Sequence, residues 1–169
     1  MKTKMIILVL ALLSWGAYAQ HDHAGHDEKK SDQKMAMFKD KNLGTAYEHY
    51  AHLKDALVSS NQAEAKKAAG QLQNSLASVK EGKKAADEAG KVAAAASLDD
   101  QRKAFSDLSN EVAGLIKGGK LSMGELYLEY CPMANNNEGA YWVSNDKAIK
   151  NPYFGDKMMK CGSVKETIQ

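Results

Sequence analysis

Residues 42–60 read NLGTAYEHYAHLKDALVSS, and this stretch decides the fold class. Leu43, Ala46, Tyr50, Leu53 and Leu57 fall at offsets 0, 3, 7, 10 and 14, a single stripe along an α-helix. Asn61 follows as an N-cap, with Glu64 three residues later as its box partner. The helix that starts there sets Ala65, Ala69, Leu72, Leu76 and Val79 on one face. Gly82 weakens it, and the alanine-rich residues 83–96 continue helically. Ser97 with Asp100 repeats the N-cap signature. The next helix aligns Leu98, Phe105, Leu108, Val112 and Leu115, and Gly118-Gly119 end it. No helix is apolar all round, so each must bury its stripe against the others. The expected fold is mainly α, a small antiparallel bundle of three to four helices.

Upstream, residues 1–19 have the three parts of a secretory signal: Lys2 and Lys4, the apolar run from Met5 to Trp15, and a small-x-small site at Ala17-Tyr18-Ala19. Cleavage after Ala19 is expected, with a periplasmic destination or, alternatively, secretion. The apolar run is too short for a membrane anchor, and no later segment is apolar enough to span a bilayer. The whole chain has 23 Lys+Arg against 21 Asp+Glu, and loss of Lys2 and Lys4 with the signal leaves 21 against 21. Such neutrality argues against nucleic acid as a partner. Residues 20–40 lack apolar periodicity and read as a disordered, histidine-rich tail. A single domain over residues 41–169 follows.

After Lys120 the character changes. Leu126, Leu128 and Tyr130 alternate with Tyr127 and Glu129, which predicts a strand. Residues 135–139, NNNEG, are a turn, and Ala140-Tyr141-Trp142-Val143 is a returning strand. Asn151-Pro152 and Phe154-Gly155 mark further turns, and residues 156–160 suit one helical turn. Residues 120–169 are therefore expected to form a compact, irregular module with a short β-hairpin.

Both cysteines of the chain, Cys131 and Cys161, lie in that module. Two readings are open. In an exported protein the pair suggests a disulfide, which closes a loop of about thirty residues and stabilises by roughly 3–4 kcal/mol. Alternatively, Cys131, Met133, Met159 and Cys161, with Met158 as a weaker candidate, form a soft sulfur site suited to Cu(I) or Ag(I). The two readings can also be the oxidised and reduced states of one site. A second candidate is His21-x-His23-x-x-His26, whose imidazoles suit Cu(II), Zn(II) or Ni(II), with Met35-x-Met37 adding soft donors. His49 and His52 stand three apart on the first helix, near enough to share an ion. No nucleophile elbow, phosphate loop, His-Glu-x-x-His, Cys-x-x-Cys or haem-attachment motif occurs, so a non-enzymatic protein is expected.

The run Tyr130-Cys131-Pro132-Met133-Ala134, then Gly139 to Ser144, then Ile149 to Met158, then Cys161-Gly162, resembles an uncharacterised family of bacterial periplasmic domains, domain of unknown function 3347. Lys54-Asp55-Ala56-Leu57-Val58 looks like that family's first helix, and the resemblance extends over about residues 43–168. This domain also occurs fused to periplasmic adaptor subunits of copper/silver efflux pumps of the resistance-nodulation-division type. The resemblance implies metal handling tied to heavy-metal efflux or homeostasis, with an efflux system or another envelope protein as partner. It carries over Cys131, Pro132, Met133, Trp142, Asn151, Pro152, Tyr153, Gly155, Met158, Cys161 and Gly162. Of these, Trp142, Pro152, Tyr153 and Gly155 are most simply structural. The alternative function is a disulfide-stapled protein–protein interaction domain of the cell envelope that binds no metal.

Overall fold

A computed structural model describes residues 36–169. The signal expected at residues 1–19 and His21, His23 and His26 lie outside the described residues. Four helices come first: α1 (Lys41–Val58), α2 (Gln62–Leu76), α3 (Lys83–Ala94) and α4 (Leu98–Gly119). Short connections fold each helix back on the one before it, and α1 packs on α2, α2 on α3, and α3 on α4. Both expected N-caps form: Asn61 accepts from the Glu64 N–H at 3.1 Å, and Ser97 from the Asp100 N–H at 3.1 Å. The Gly82 region breaks the chain into α2 and α3. Gly119 is still helical, and the left-handed residue that stops α4 is Lys120, at φ 56°.

Two small sheets complete the fold. β1 (Met37–Phe38) pairs antiparallel with β2 (Leu121–Met123). Regular structure is therefore present before residue 41: Asp40 caps α1 by accepting from the Asn42 N–H at 2.8 Å, and the Phe38 ring lies 5.3 Å from that of Tyr47. The expected hairpin is present as β3 (Leu126–Cys131) and β4 (Ala140–Ser144), joined through a turn in which Asn135, Asn136 and Asn137 all have positive φ. Asparagine tolerates this conformation better than other side chains. A third strand not anticipated from sequence, β5 (Ser163–Ile168), pairs with β3, giving the order β4-β3-β5. The expected helical turn at 156–160 is a 3₁₀ turn at Gly155–Lys157.

A chain of ring contacts runs from Phe38 through Tyr47, Tyr50, Phe105 and Tyr153 to Trp142, each step between 5.3 and 6.1 Å. It joins the first strand, the bundle core and the C-terminal module into one apolar interior. The β4 edge is closed against the bundle: the Val143 N–H donates to the Tyr50 hydroxyl at 3.0 Å, and the Tyr153 hydroxyl donates to the Tyr141 carbonyl at 2.6 Å. An unpaired strand edge is a site of unwanted pairing, and these two tyrosines cover it. Among the described residues no helix is long and apolar enough to cross a membrane.

Candidate functional site in the disulfide-closed module

The sheet order brings the cysteines together. Cys131 ends β3, and Cys161 stands two residues before β5, whose first residue Ser163 lies opposite Tyr130. Antiparallel pairing thus sets both cysteines at one end of the sheet, where they form a disulfide with Cα atoms 5.8 Å apart. Cys131 is buried and Cys161 half-buried.

Asn151 organises the loop leading to Cys161. It is fully buried, its amide donates to the Cys161 carbonyl at 2.7 Å, and its side-chain oxygen accepts from the Tyr153 and Phe154 N–H groups at 2.8 and 3.3 Å. Its own backbone N–H donates to the Met159 carbonyl at 2.9 Å. The Pro152 carbonyl accepts from Arg102 Nε at 2.9 Å. Gly162, at φ +137°, sits where a Cβ would come 2.8 Å from Trp142 Cη2. At Gly155, φ +55°, a Cβ would come 2.8 Å from the Val58 carbonyl oxygen and 2.9 Å from Arg102 Nη2. Trp142, Asn151, Pro152, Tyr153, Gly155 and Gly162 thus build the fold, whereas Pro132 is exposed. Gly155→Ala is expected to destabilise by about 1–3 kcal/mol, since it forces a left-handed φ on alanine and crowds a backbone oxygen. A chemical-denaturation midpoint unchanged from wild type would refute this.

The methionines divide. Met133 and Met158 line one open groove of about 630 Å³, together with Asp99, Asp100, Glu138 and Lys157. Met159 is half-buried and is not among the groove's lining residues. With the disulfide closed, both cysteine sulfurs are bonded to each other. His49 is half-buried, and His52 Nε2 pairs with Glu64 Oε1 at 3.1 Å across to α2. Among the described residues no group of three or more His, Cys, Asp and Glu side chains is arranged to hold a metal ion.

Three buried charges escaped the sequence reading. Arg102 bridges the bundle and the module: besides Pro152, it donates from Nη2 to the Leu57 carbonyl and to Ser60 Oγ, both at 3.0 Å. Burial pulls its pKa down, and Asp99 at 3.9 Å opposes that. Its signal lay in the helix period, since residue 102 falls between Leu98 and Phe105 on the apolar stripe of α4. Lys54, 3% exposed on α1, pairs with Asp55 at 3.1 Å. Glu129, opposite Trp142 in the hairpin, is fully buried. Burial pushes its carboxyl up to about 7, against the pull of Lys54 and Trp142.

The native state therefore holds the Glu129 proton that the unfolded chain releases from about pH 4.5. Stability is highest below that value and falls as pH rises to about 7, by up to about 3 kcal/mol. Glu129→Gln is expected to flatten this part of the curve. Denaturation midpoints of both proteins from pH 4.5 to 8 check it, because every ionisable group other than residue 129 is common to both and cancels in the difference. Parallel curves would sink the assignment.

Fold and site together define a mainly helical domain closed at one end by a disulfide-stapled, three-stranded module. Residues 46–124 match the family described as Protein of unknown function (DUF3347). The match covers most of α1, all of α2 to α4, and β2; Cys131 and the motif after it lie beyond it. No curated protein and no solved structure matches the chain.

Proposed function

We propose that this is a non-enzymatic, periplasmic metal-handling protein that takes Cu(I) or Ag(I) at the reduced Cys131/Cys161 pair, in connection with heavy-metal efflux or homeostasis. The observation that carries the reading is the convergence of Cys131 and Cys161, Cα atoms 5.8 Å apart, with their near neighbours in sequence, Met133 and Met158, lining one groove. Thiol–disulfide exchange with an external dithiol, which is itself oxidised to a disulfide, supplies the two electrons and two protons that turn the Cys131–Cys161 disulfide into two thiols. Binding a monovalent soft cation then releases those protons, because thiolates are the ligands. The disulfide is the metal-free, oxidised state. The signal read at residues 1–19 supports export, and His21, His23 and His26 supply a site of different hardness for Cu(II) or Zn(II). A heavy-metal efflux system is the partner this reading favours.

A second reading, a stapled interaction domain of the cell envelope, draws on the closed disulfide and on β5, an edge strand exposed from Lys165 to Thr167. One titration separates the two. Full-length protein, reduced or oxidised, competes for Cu(I) with a chromogenic chelator, alongside Cys131→Ser, Cys161→Ser and a variant with His21, His23 and His26 all replaced by alanine. The metal reading expects tight binding by the reduced protein that either serine variant abolishes and the histidine variant retains. Binding lost only with the histidines would leave the cysteines as a staple and favour the second reading.

A further inference from the structure

We propose that Met37 and Met123 form a thioether site for a soft monovalent cation, of the Cu(I) or Ag(I) class, on the β1–β2 ribbon. The large apolar side chains left exposed among the described residues are Met37 (54%), Met123 (56%), Met133 (46%) and Tyr141 (37%). The leucines, isoleucines, valines and phenylalanines are buried or half-buried. A surface patch selected for apolar contact would draw on those residues as well; this exposure is confined almost entirely to thioethers.

Two of the three methionines are direct neighbours. Met37 and Met123 are Cα partners across the antiparallel ribbon, and side chains in such a pair stand on one face about 4.5–5.5 Å apart at Cβ. A register shift creates the pairing. Phe38 lies opposite Leu121, and Met37 opposite Met123, so Ser122 is an extra residue in β2. By the two-residue strand period Met123 would share the buried face of Leu121. The bulge takes it off that face, while Leu121 stays buried and Phe38 packs on Tyr47. Two neutral, polarisable sulfurs side by side at the surface suit a soft cation and offer little to Zn(II) or Mg(II). The site is independent of the cysteine module and does not require its reduction.

The test uses full-length protein with its disulfide closed, so that no thiolate is present and failure of this site says nothing about the cysteines. Silver nitrate is the probe, at a mildly acidic pH, since thioethers do not titrate and keep their affinity for the ion there. Methionine ε-methyl NMR resonances are the readout. The expected result is that the Met37 and Met123 methyls shift together and saturate at one silver ion per chain. Met37→Leu should then remove the Met123 shift, and Met123→Leu the Met37 shift. Leucine nearly conserves volume, and the remaining methyl signals report that the fold is intact. Shifts confined to other methionines, shifts that survive in both variants, or no saturable shift would each overturn the proposal.

Discussion

Removing the disulfide by the paired change Cys131→Ala and Cys161→Ala is expected to lower the free energy of unfolding by about 3–4 kcal/mol. The separation is 30 residues, and opening a loop of that length returns this much entropy to the unfolded chain. The native state also loosens. Cys161 also accepts at its carbonyl from the Asn151 amide and donates its N–H to the Met158 carbonyl, so without the disulfide these hydrogen bonds and the Tyr130–Ser163 pairing are left to hold the β3–β5 end. Against a domain stability of about 5–15 kcal/mol, the loss is a large fraction. Denaturation of the oxidised, reduced and doubly substituted proteins checks it. The reduced wild type should match the double variant, and a difference below about 1 kcal/mol between oxidised and reduced forms would count against the staple.

The second large effect is expected at Arg102. Arg102→Met keeps much of the side-chain volume but removes donors to the Leu57 carbonyl, the Pro152 carbonyl and Ser60 Oγ. Hydrogen bonds to charged donors contribute about 1.5–3 kcal/mol each, and buried carbonyls left bare add a desolvation cost. The burial penalty of the guanidinium is relieved at the same time, so the net loss is about 3–5 kcal/mol, in the range for breaking a buried charge network. Arg102→Lys should rescue little, since an ammonium cannot reproduce the fork that reaches α1 and the Pro152 turn together. Hydrogen exchange adds a sharper readout: amides of Asn151, Tyr153 and Phe154 should lose protection more than those in α2 and α3. Equal losses everywhere would mean that Arg102 stabilises the fold without tying the module to the bundle.

The helices were legible because their signals are local. The α1 stripe of Leu43, Ala46, Tyr50, Leu53 and Leu57 is buried in the structure, and both capping pairs form where their side chains can reach their own helix N-terminus. The hairpin was legible for a similar reason: three asparagines and a glycine between two β-rich runs leave few other conformations. β5 was not. Its residues SVKETI are mostly polar and exposed, and they become a strand only because β3 offers a partner edge. β1 and β2 are too short to carry a period. Glu129 misled in the other direction. Alternation sets it on the face opposite Leu126 and Leu128, and the structure buries both faces, with Trp142 as its cross-strand neighbour.

By itself the sequence determined three to four amphipathic or alanine-rich helical segments, the capped starts of two of them, a hairpin after them, and two cysteines within an unusually specific run of Pro, Trp, Tyr, Gly and Met. Hydrophobic period, capping chemistry and turn residues act over a few positions and need nothing from the rest of the chain. Only the tertiary structure decided that Cys131 and Cys161 meet, that Asn151 and Arg102 hold the loop between them to the bundle, and that Met133 and Met158 share a groove while Met37 and Met123 share a ribbon. Those relations depend on strand order, register and packing between segments apart in sequence, 30 residues for the disulfide, and a sequence specifies them only through the energy of the packed whole.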